Sequence, residues 1–143
     1  NFAKYVEWPS DAFKSPDDPI RIGIAGEDPF GEVLEKALKD KVVDGRRFSI
    51  ERFKKPSDVG RVHILFVARS ETARVGQILD RVRAAGTLTV GEDAAFARSG
   101  GVLSILIENG KPKLEVNPDA AAEQKVTISA KLLKVATVVR TEK

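Results

Sequence analysis

The 143-residue chain contains no cysteine. Structural disulfides, thiolate nucleophiles and thiolate metal sites are thereby excluded. The absence does not fix the compartment, because a packed domain of this size needs no covalent staple. Histidine occurs once, at His63. Serine-based nucleophilic catalysis would have to use that ring, and no G-x-S-x-G elbow presents a serine to it. No apolar run approaches the roughly 20 residues that span a bilayer. The chain is therefore not expected to cross a membrane itself, and it does not open with a secretory signal. An excess of one charge is also missing: 24 basic against 21 acidic residues leave +3. The densest basic group, Arg46, Arg47, Arg52, Lys54 and Lys55, is short of the focused stripe that nucleic-acid binding requires, so no nucleic-acid partner is expected.

What remains is an ordinary globular composition, 42% apolar and 31% charged, long enough for one domain over residues 1–143 with a core of its own. The clearest local signal is Asn109-Gly110 between two strand-like runs. Both central residues of a two-residue hairpin turn need positive φ, and Asn-Gly meets that demand best. The turn sets the register. Leu103 faces Val116, Ile105 faces Leu114 and Ile107 faces Pro112 on an apolar face. Ser104 faces Glu115, Leu106 faces Lys113 and Glu108 faces Lys111 on the other. A slip of one residue would exchange the faces. Pro112, Lys111 and Lys113 suit an edge strand.

Taken in order, residues 1–8 read as a short amphipathic helix with Phe2, Tyr5 and Val6 on one face, ended by Pro9. A natural chain rarely begins inside a helix, so the start is expected to be trimmed or processed, and any targeting segment is expected upstream of it. A Pro/Ser/Asp-rich loop follows to Pro19. Ile20 to Ala25 reads as a strand, and Gly26 turns into a helix with Asp28 as cap, Pro29 at its first position, and Phe30, Val33, Leu34, Ala37 and Leu38 as the buried stripe. Arg46 to Phe53 alternates as a half-buried edge strand. Val62 to Ala68 is continuous enough for a central parallel strand. A helix facing inward through Val75, Ile78, Leu79 and Val82 comes next, then a strand at Thr87 to Val90. Asn117-Pro118 opens an Ala-rich helix, and residues 128–139 read as the last helix. The alternation predicts an α/β fold: a three-layer, Rossmann-like sandwich with a mostly parallel sheet and the antiparallel hairpin at its C-terminal edge.

Gly26 to Gly31 sits where a phosphate would bind in such a fold, but it lacks the lysine and Ser/Thr of a phosphate loop, and Glu27 and Asp28 would repel an anion. Glu92-Asp93 follows a strand at the end where ligands bind, or simply caps a helix. Ser99-Gly100-Gly101 forms either an anion nest or a turn into the hairpin. His63 reads as a hydrogen-bonded core residue, because no carboxylates or further histidines reach it by spacing. Phe2, Tyr5 and Trp8 give the expected first helix an aromatic surface for core packing or for a protein partner.

Several stretches resemble the YfiR-like family: NFAKYVEWP from Asn1 to Pro9, GEDPFG from Gly26, VHILFV from Val62, LTVGE from Leu88 with Phe96-Ala97 and Gly100-Gly101, LEVN from Leu114 with Asp119-Ala120, and ISAKLL from Ile128. Their order and spacing run through essentially the whole chain. The resemblance implies a periplasmic, non-enzymatic α/β protein without a cofactor. In that family the protein binds the periplasmic part of an inner-membrane diguanylate cyclase and holds it inactive. Related domains sit at the sensory end of membrane histidine kinases, and homodimers are common. The chain departs from its relatives at Val62, where they often place a cysteine, so a thiol switch is excluded. Two functional expectations follow. A protein-contact surface would use Phe2, Tyr5 and Trp8. A small-ligand pocket would lie near Gly26, Glu92, Gly100 and Gly101. An enzyme is not expected, because nucleophile, base and orienter cannot be assembled. Lys131 and Glu115, polar positions with no evident fold role, are expected to form a buried or interfacial ion pair.

Overall fold

A computed structural model describes residues 6–8, 13, 15, 18–26, 33–43, 45–55, 58–83 and 86–141. In chain order the elements are β1 (Val6–Glu7), β2 (Ile20–Ala25), α1 (Val33–Leu38), β3 (Phe48–Phe53), β4 (Ile64–Val67), a 3-10 segment (Arg69–Arg74) running into α2 (Val75–Arg81), β5 (Leu88–Gly91), α3 (Ala94–Arg98), β6 (Leu103–Glu108), β7 (Lys111–Val116), α4 (Pro118–Gln124), β8 (Thr127–Ile128), α5 (Ala130–Val135) and β9 (Thr137–Val138). Seven strands form one sheet in the order β3-β2-β4-β5-β6-β7-β9. Its pairs are parallel except β6–β7. The architecture is the expected α/β sandwich.

Side-chain alternation decides which residues cover which face. Ile20, Ile22, Ile24, Ile64, Phe66, Leu88 and Val90 point to one side and pack with Val6, Ala120, Ala121 and Val126. Ala25, Phe53, Leu65 and Val67 point to the other and pack with Ile78, Val82 and Phe96 of the α2–α3 layer. Ile24, Leu65, Ile78 and Leu88 are wholly buried, and each such side chain contributes roughly 1.5–3 kcal/mol by leaving water. The strands buried on both faces carry the continuous apolar runs, as parallel strands do. Buried polar side chains are closed by hydrogen bonds. Gln124 accepts from the Thr87 amide (2.9 Å) and donates to the Val82 carbonyl (2.9 Å), while the Thr87 hydroxyl donates to the Val62 carbonyl (2.8 Å).

The hairpin adopts the expected register at all six positions. Asn109 and Gly110 have φ of 54° and 77°, as a two-residue turn of this kind requires. It lies at the C-terminal side of the sheet, but β7 is only partly an edge. β9 pairs with it in parallel at Glu115–Thr137 and Val116–Val138 and leaves the half carrying Pro112 uncovered.

Two elements differ from the expectation. Val6 and Glu7 are not helical: they pair antiparallel with Ile128 and Thr127 in a separate two-stranded sheet. The expected last helix is shortened to six residues. Ser129 caps it by accepting from the Leu132 amide (3.3 Å), which places Ile128 outside, in β8, and Ala136 ends it in extended conformation. The Asp28 cap, Phe30, Phe2 and Tyr5 lie outside the described residues.

Candidate functional site

The strand order creates a switch point. From β2 the chain moves outward to β3, then crosses to β4 on the other flank of β2. In open α/β sheets the crevice at the carboxyl ends of two such strands is the usual ligand seat. Here it is framed by Gly26 after β2, Arg69 to Glu71 after β4, and Glu92 after β5. Gly26 has φ +96°, and a Cβ on it would stand 2.5 Å from Glu71 Cγ and 2.6 Å from Ser70 Oγ. Only glycine lets the two chain segments approach this closely.

The polar groups of this end bond to one another. Glu92 Oε2 accepts from the Arg69 amide at 2.7 Å, tying the β5 exit to the β4 exit. Glu71 is buried, with both carboxylate oxygens 3.1–3.2 Å from Arg74 Nη1. Asp93 caps α3 by accepting from the Phe96 amide (3.0 Å). The helix cap expected of the Glu92-Asp93 pair therefore belongs to Asp93 alone, and Glu92 is a strand-to-strand tie.

Of the pocket residues expected from sequence, Gly26 and Glu92 come to the same end of the sheet. Gly100 and Gly101 do not. They follow α3, and the β5–β6 register, which pairs Val90 with Leu103, puts Gly101 level with Leu88 at the amino end of β5. Gly101 donates to the Phe96 carbonyl (3.0 Å) and Gly100 to the Ala97 carbonyl (3.5 Å), the paired bonds of a Schellman helix stop, with Gly100 at φ +113°. A Cβ on Gly101 would lie 2.2 Å from Phe96 Cε2. These glycines end a helix and seat an aromatic ring.

A second cluster gathers at the amino ends of the strands, on the N-terminal segment. Trp8 is half-buried, and its Nε1 donates to the His63 carbonyl at 2.9 Å. Phe13 stacks on the His63 ring at 4.2 Å and 15° between planes, and Trp8 meets both rings edge-on. The Arg46 guanidinium lies 3.7 Å from the Phe13 centroid. His63 Nδ1 accepts from the Arg21 amide at 2.9 Å. The single histidine is thus a buried, hydrogen-bonded residue, as its strand position implied. Among the described residues no group of three or more His, Cys, Asp or Glu is arranged to hold a metal ion.

The expected ion pair between Lys131 and Glu115 does not form. Arg98 of α3 takes the Glu115 carboxylate with two hydrogen bonds, and Lys131 is exposed on α5.

Sequence reasoning also missed an open groove of about 380 Å3 between α4, β8 and α5, with Ala121, Ala122, Ile128 and Leu133 among its lining. It is apolar except for Lys125 and Thr127, and it adjoins β1 through the Val6–Ile128 pairing. The Ala-rich composition of α4 was the available signal: small side chains on a helix leave room beside it.

These features define a doubly wound α/β sandwich in which the described polar groups at the carboxyl ends of the strands bond to one another and an apolar groove lies beside α4. The chain belongs to the YfiR/HmsC-like family, whose profile matches residues 1–137. No curated protein matches it. Among solved structures it is similar to a conserved domain protein from Vibrio cholerae O1 biovar El Tor str. N16961, at 15% identity and TM-score 0.63 over 83% of this chain and 54% of that one. It is also similar to the ABC domain from Streptococcus pneumonia in complex with L-Trp, at 14% identity and TM-score 0.57 over 83% of this chain and 55% of that one. The chain therefore spans about half the length of the structures it matches. These likenesses establish the fold alone.

Proposed function

We propose that this chain is a non-catalytic periplasmic regulator that binds the periplasmic part of an inner-membrane diguanylate cyclase and holds it inactive. Family membership supports a regulatory reading. Among the described residues no helix is long and apolar enough to cross a membrane, so the regulator would reach its target by protein contact. The mechanism is differential affinity: the regulator binds the inactive state of the cyclase more tightly and shifts its population.

The observation that carries this reading is an open apolar groove beside the N-terminal strand. Among the described residues, the polar groups at the carboxyl ends of the strands bond to one another. Apolar grooves next to an extended segment suit a protein partner more than a small polar ligand. Phe2, Tyr5 and Trp8 belong to that same N-terminal segment and would contribute to the contact, with the homodimer as the functional unit. The alternative, an extracytoplasmic small-ligand sensor domain of a histidine kinase, would place its ligand by Gly26 and Glu92.

The test is a cyclase assay. Membranes holding a candidate cyclase make cyclic di-GMP with and without the purified protein. Inhibition that saturates with added protein supports the proposal. Undiminished synthesis, together with a blank pull-down from solubilised membranes under crosslinking, refutes it and favours the sensor reading.

A further inference from the structure

We infer that the groove beside α4 binds a single-chain anionic amphiphile, a fatty acid by class, with its tail along the apolar walls and its carboxylate at Lys125. The regulatory reading uses the same groove, but ligand binding is tested without a cyclase, so either can fail alone. Lys125 occupies an unusual backbone position. α4 ends in a Schellman stop: the Lys125 amide donates to the Ala122 carbonyl (3.0 Å) and the Val126 amide to the Ala121 carbonyl (3.1 Å). The left-handed residue of such a stop is usually glycine, because a Cβ is crowded there. Lys125 holds that place at φ +59° and ψ +29°. Among the described residues one other non-glycine residue, Asn109, has positive φ, and the hairpin turn accounts for it. Nothing in the backbone calls for lysine at 125, and a side chain kept in a disfavoured conformation points to a use for that side chain.

Among the described residues the Lys125 ammonium has no ion-pair or hydrogen-bond partner. It is exposed and lines the groove of about 380 Å3, whose other lining side chains are apolar apart from Thr127. No acidic side chain is part of that lining. Asp119 of α4 is bound to Arg140 at 2.8 Å, and Glu123 lies outside the groove. The opening is thus apolar with one unmatched cation. A carboxylate at Lys125 gains a charge-assisted hydrogen bond, and the Thr127 hydroxyl offers a second donor. A purely polar anion would leave the walls of Ala121, Val126, Ile128 and Leu133 uncovered, and a neutral tail would leave the ammonium unmatched. Size narrows the class. α4 has seven residues and is about 10 Å long, and the volume lies near the lower end of the roughly 300–1,000 Å3 of small-molecule sites. Both suit one short tail and exclude the two chains of a bilayer lipid.

The test is an NMR titration of the methyl groups of Ala121, Ala122, Ile128 and Leu133 with decanoate. The probe is kept below its micelle concentration at about pH 7.5, where the carboxylate is ionised. Saturable shifts confined to those methyls are expected. Octyl glucoside, a tail without an anion, and acetate, an anion without a tail, should each bind at least about tenfold more weakly. Lys125→Gln should weaken decanoate by about tenfold or more, the scale of one lost charge-assisted hydrogen bond. Lys131→Gln, outside the groove, should leave it unchanged. Lys125→Gly relaxes the left-handed turn, so it should unfold at a higher temperature than the wild type and still bind decanoate at least about tenfold more weakly. A lysine with a purely structural role would not produce that split. Equal affinity for decanoate and octyl glucoside, or undiminished binding in Lys125→Gln, overturns the site. So does the absence of saturable shifts, and inhibition of a cyclase by the same protein would then leave the groove to a protein partner alone.

Discussion

Arg98 and Glu115 form a two-pronged ion pair, with Nη1–Oε1 at 2.7 Å and Nη2–Oε2 at 3.1 Å. The Glu115 side chain is 5% exposed and the Arg98 side chain 33%. That asymmetry makes the two deletions unequal. Arg98→Ala leaves a carboxylate buried without its cation and should cost about 3 kcal/mol. Glu115→Ala leaves an arginine that can turn to water and should cost about 1–2 kcal/mol. Lys131→Ala, on the exposed face of α5, should stay within about 0.5 kcal/mol of the wild type. Urea unfolding of the three variants gives the order directly. Equal losses for Arg98→Ala and Lys131→Ala would show that the pairing is wrong.

How far this pair could be read from sequence marks the limit of sequence reading. Glu115 was singled out as a polar residue without a fold role, but its partner was placed at Lys131. Arg98 stands 17 residues earlier, on a helix packed across the hairpin, and no helical or strand period links the two. The hairpin itself was legible residue by residue, because turn chemistry and a strict period of two are local properties. The N-terminal strand was not. Phe2, Tyr5 and Val6 carry helical spacing, yet Val6 and Glu7 are extended because they pair with Ile128 and Thr127, more than a hundred residues away. The same distance hid the groove, which is formed where α4, β8 and α5 meet. Gly26 and Glu92 follow strands, which the local pattern shows, whereas Gly100 and Gly101, readable as an anion nest or as a turn into the hairpin, form a helix stop whose place at the other end of the sheet depends on the β5–β6 register.

Asn117 is predicted to be the most sensitive polar position of the C-terminal half. It is wholly buried, its Oδ1 accepts from the Asp119 and Ala120 amides, and its Nδ2 donates to the Ala97 carbonyl and the Thr141 hydroxyl. Asn117→Ala removes a helix cap, about 1 kcal/mol, and takes the shorter hydrogen bond from the buried Ala97 carbonyl, leaving it the 3.5 Å bond from Gly100, about 0.5–1.5 kcal/mol more. Asn117→Asp keeps the cap but places carboxylate oxygen against that carbonyl. Both variants should therefore lower the urea midpoint, and the aspartate should not rescue the alanine. Full rescue by aspartate would reduce Asn117 to a cap.

Gly26→Ala tests whether the carboxyl end of the sheet is as closed as its hydrogen bonds imply. The new methyl meets Glu71 Cγ at 2.5 Å and must also hold φ at +96°. Backbone strain of this kind costs about 1–3 kcal/mol, and displacing Glu71 disturbs its bonds to Arg74. A loss of at least about 2 kcal/mol is expected by thermal or urea unfolding. Gly110→Ala provides the comparison: its φ is +77° but nothing lies within 4 Å of the added carbon, so only the smaller conformational cost of about 1 kcal/mol applies. A Gly26→Ala variant as stable as Gly110→Ala would mean that this crevice has room, and would return weight to a ligand seated there.

The groove makes the most direct prediction about function. Ala122 lines it and is exposed, so Ala122→Arg can be made without disturbing the core, and its stability should change by no more than about 0.5 kcal/mol. If the groove contacts the cyclase, the same substitution sets a charge and a long side chain where small apolar ones lay. The concentration needed for half-maximal inhibition of cyclic di-GMP synthesis should then rise at least about tenfold, the effect of losing a well-packed interface position. Lys111→Ala, at the far end of the hairpin and exposed, should leave inhibition unchanged. Repression lost equally in both variants would point to a general effect of the substitutions. Repression kept in Ala122→Arg would move the contact away from the groove, to the aromatic N-terminal segment, which Trp8→Ala would then test.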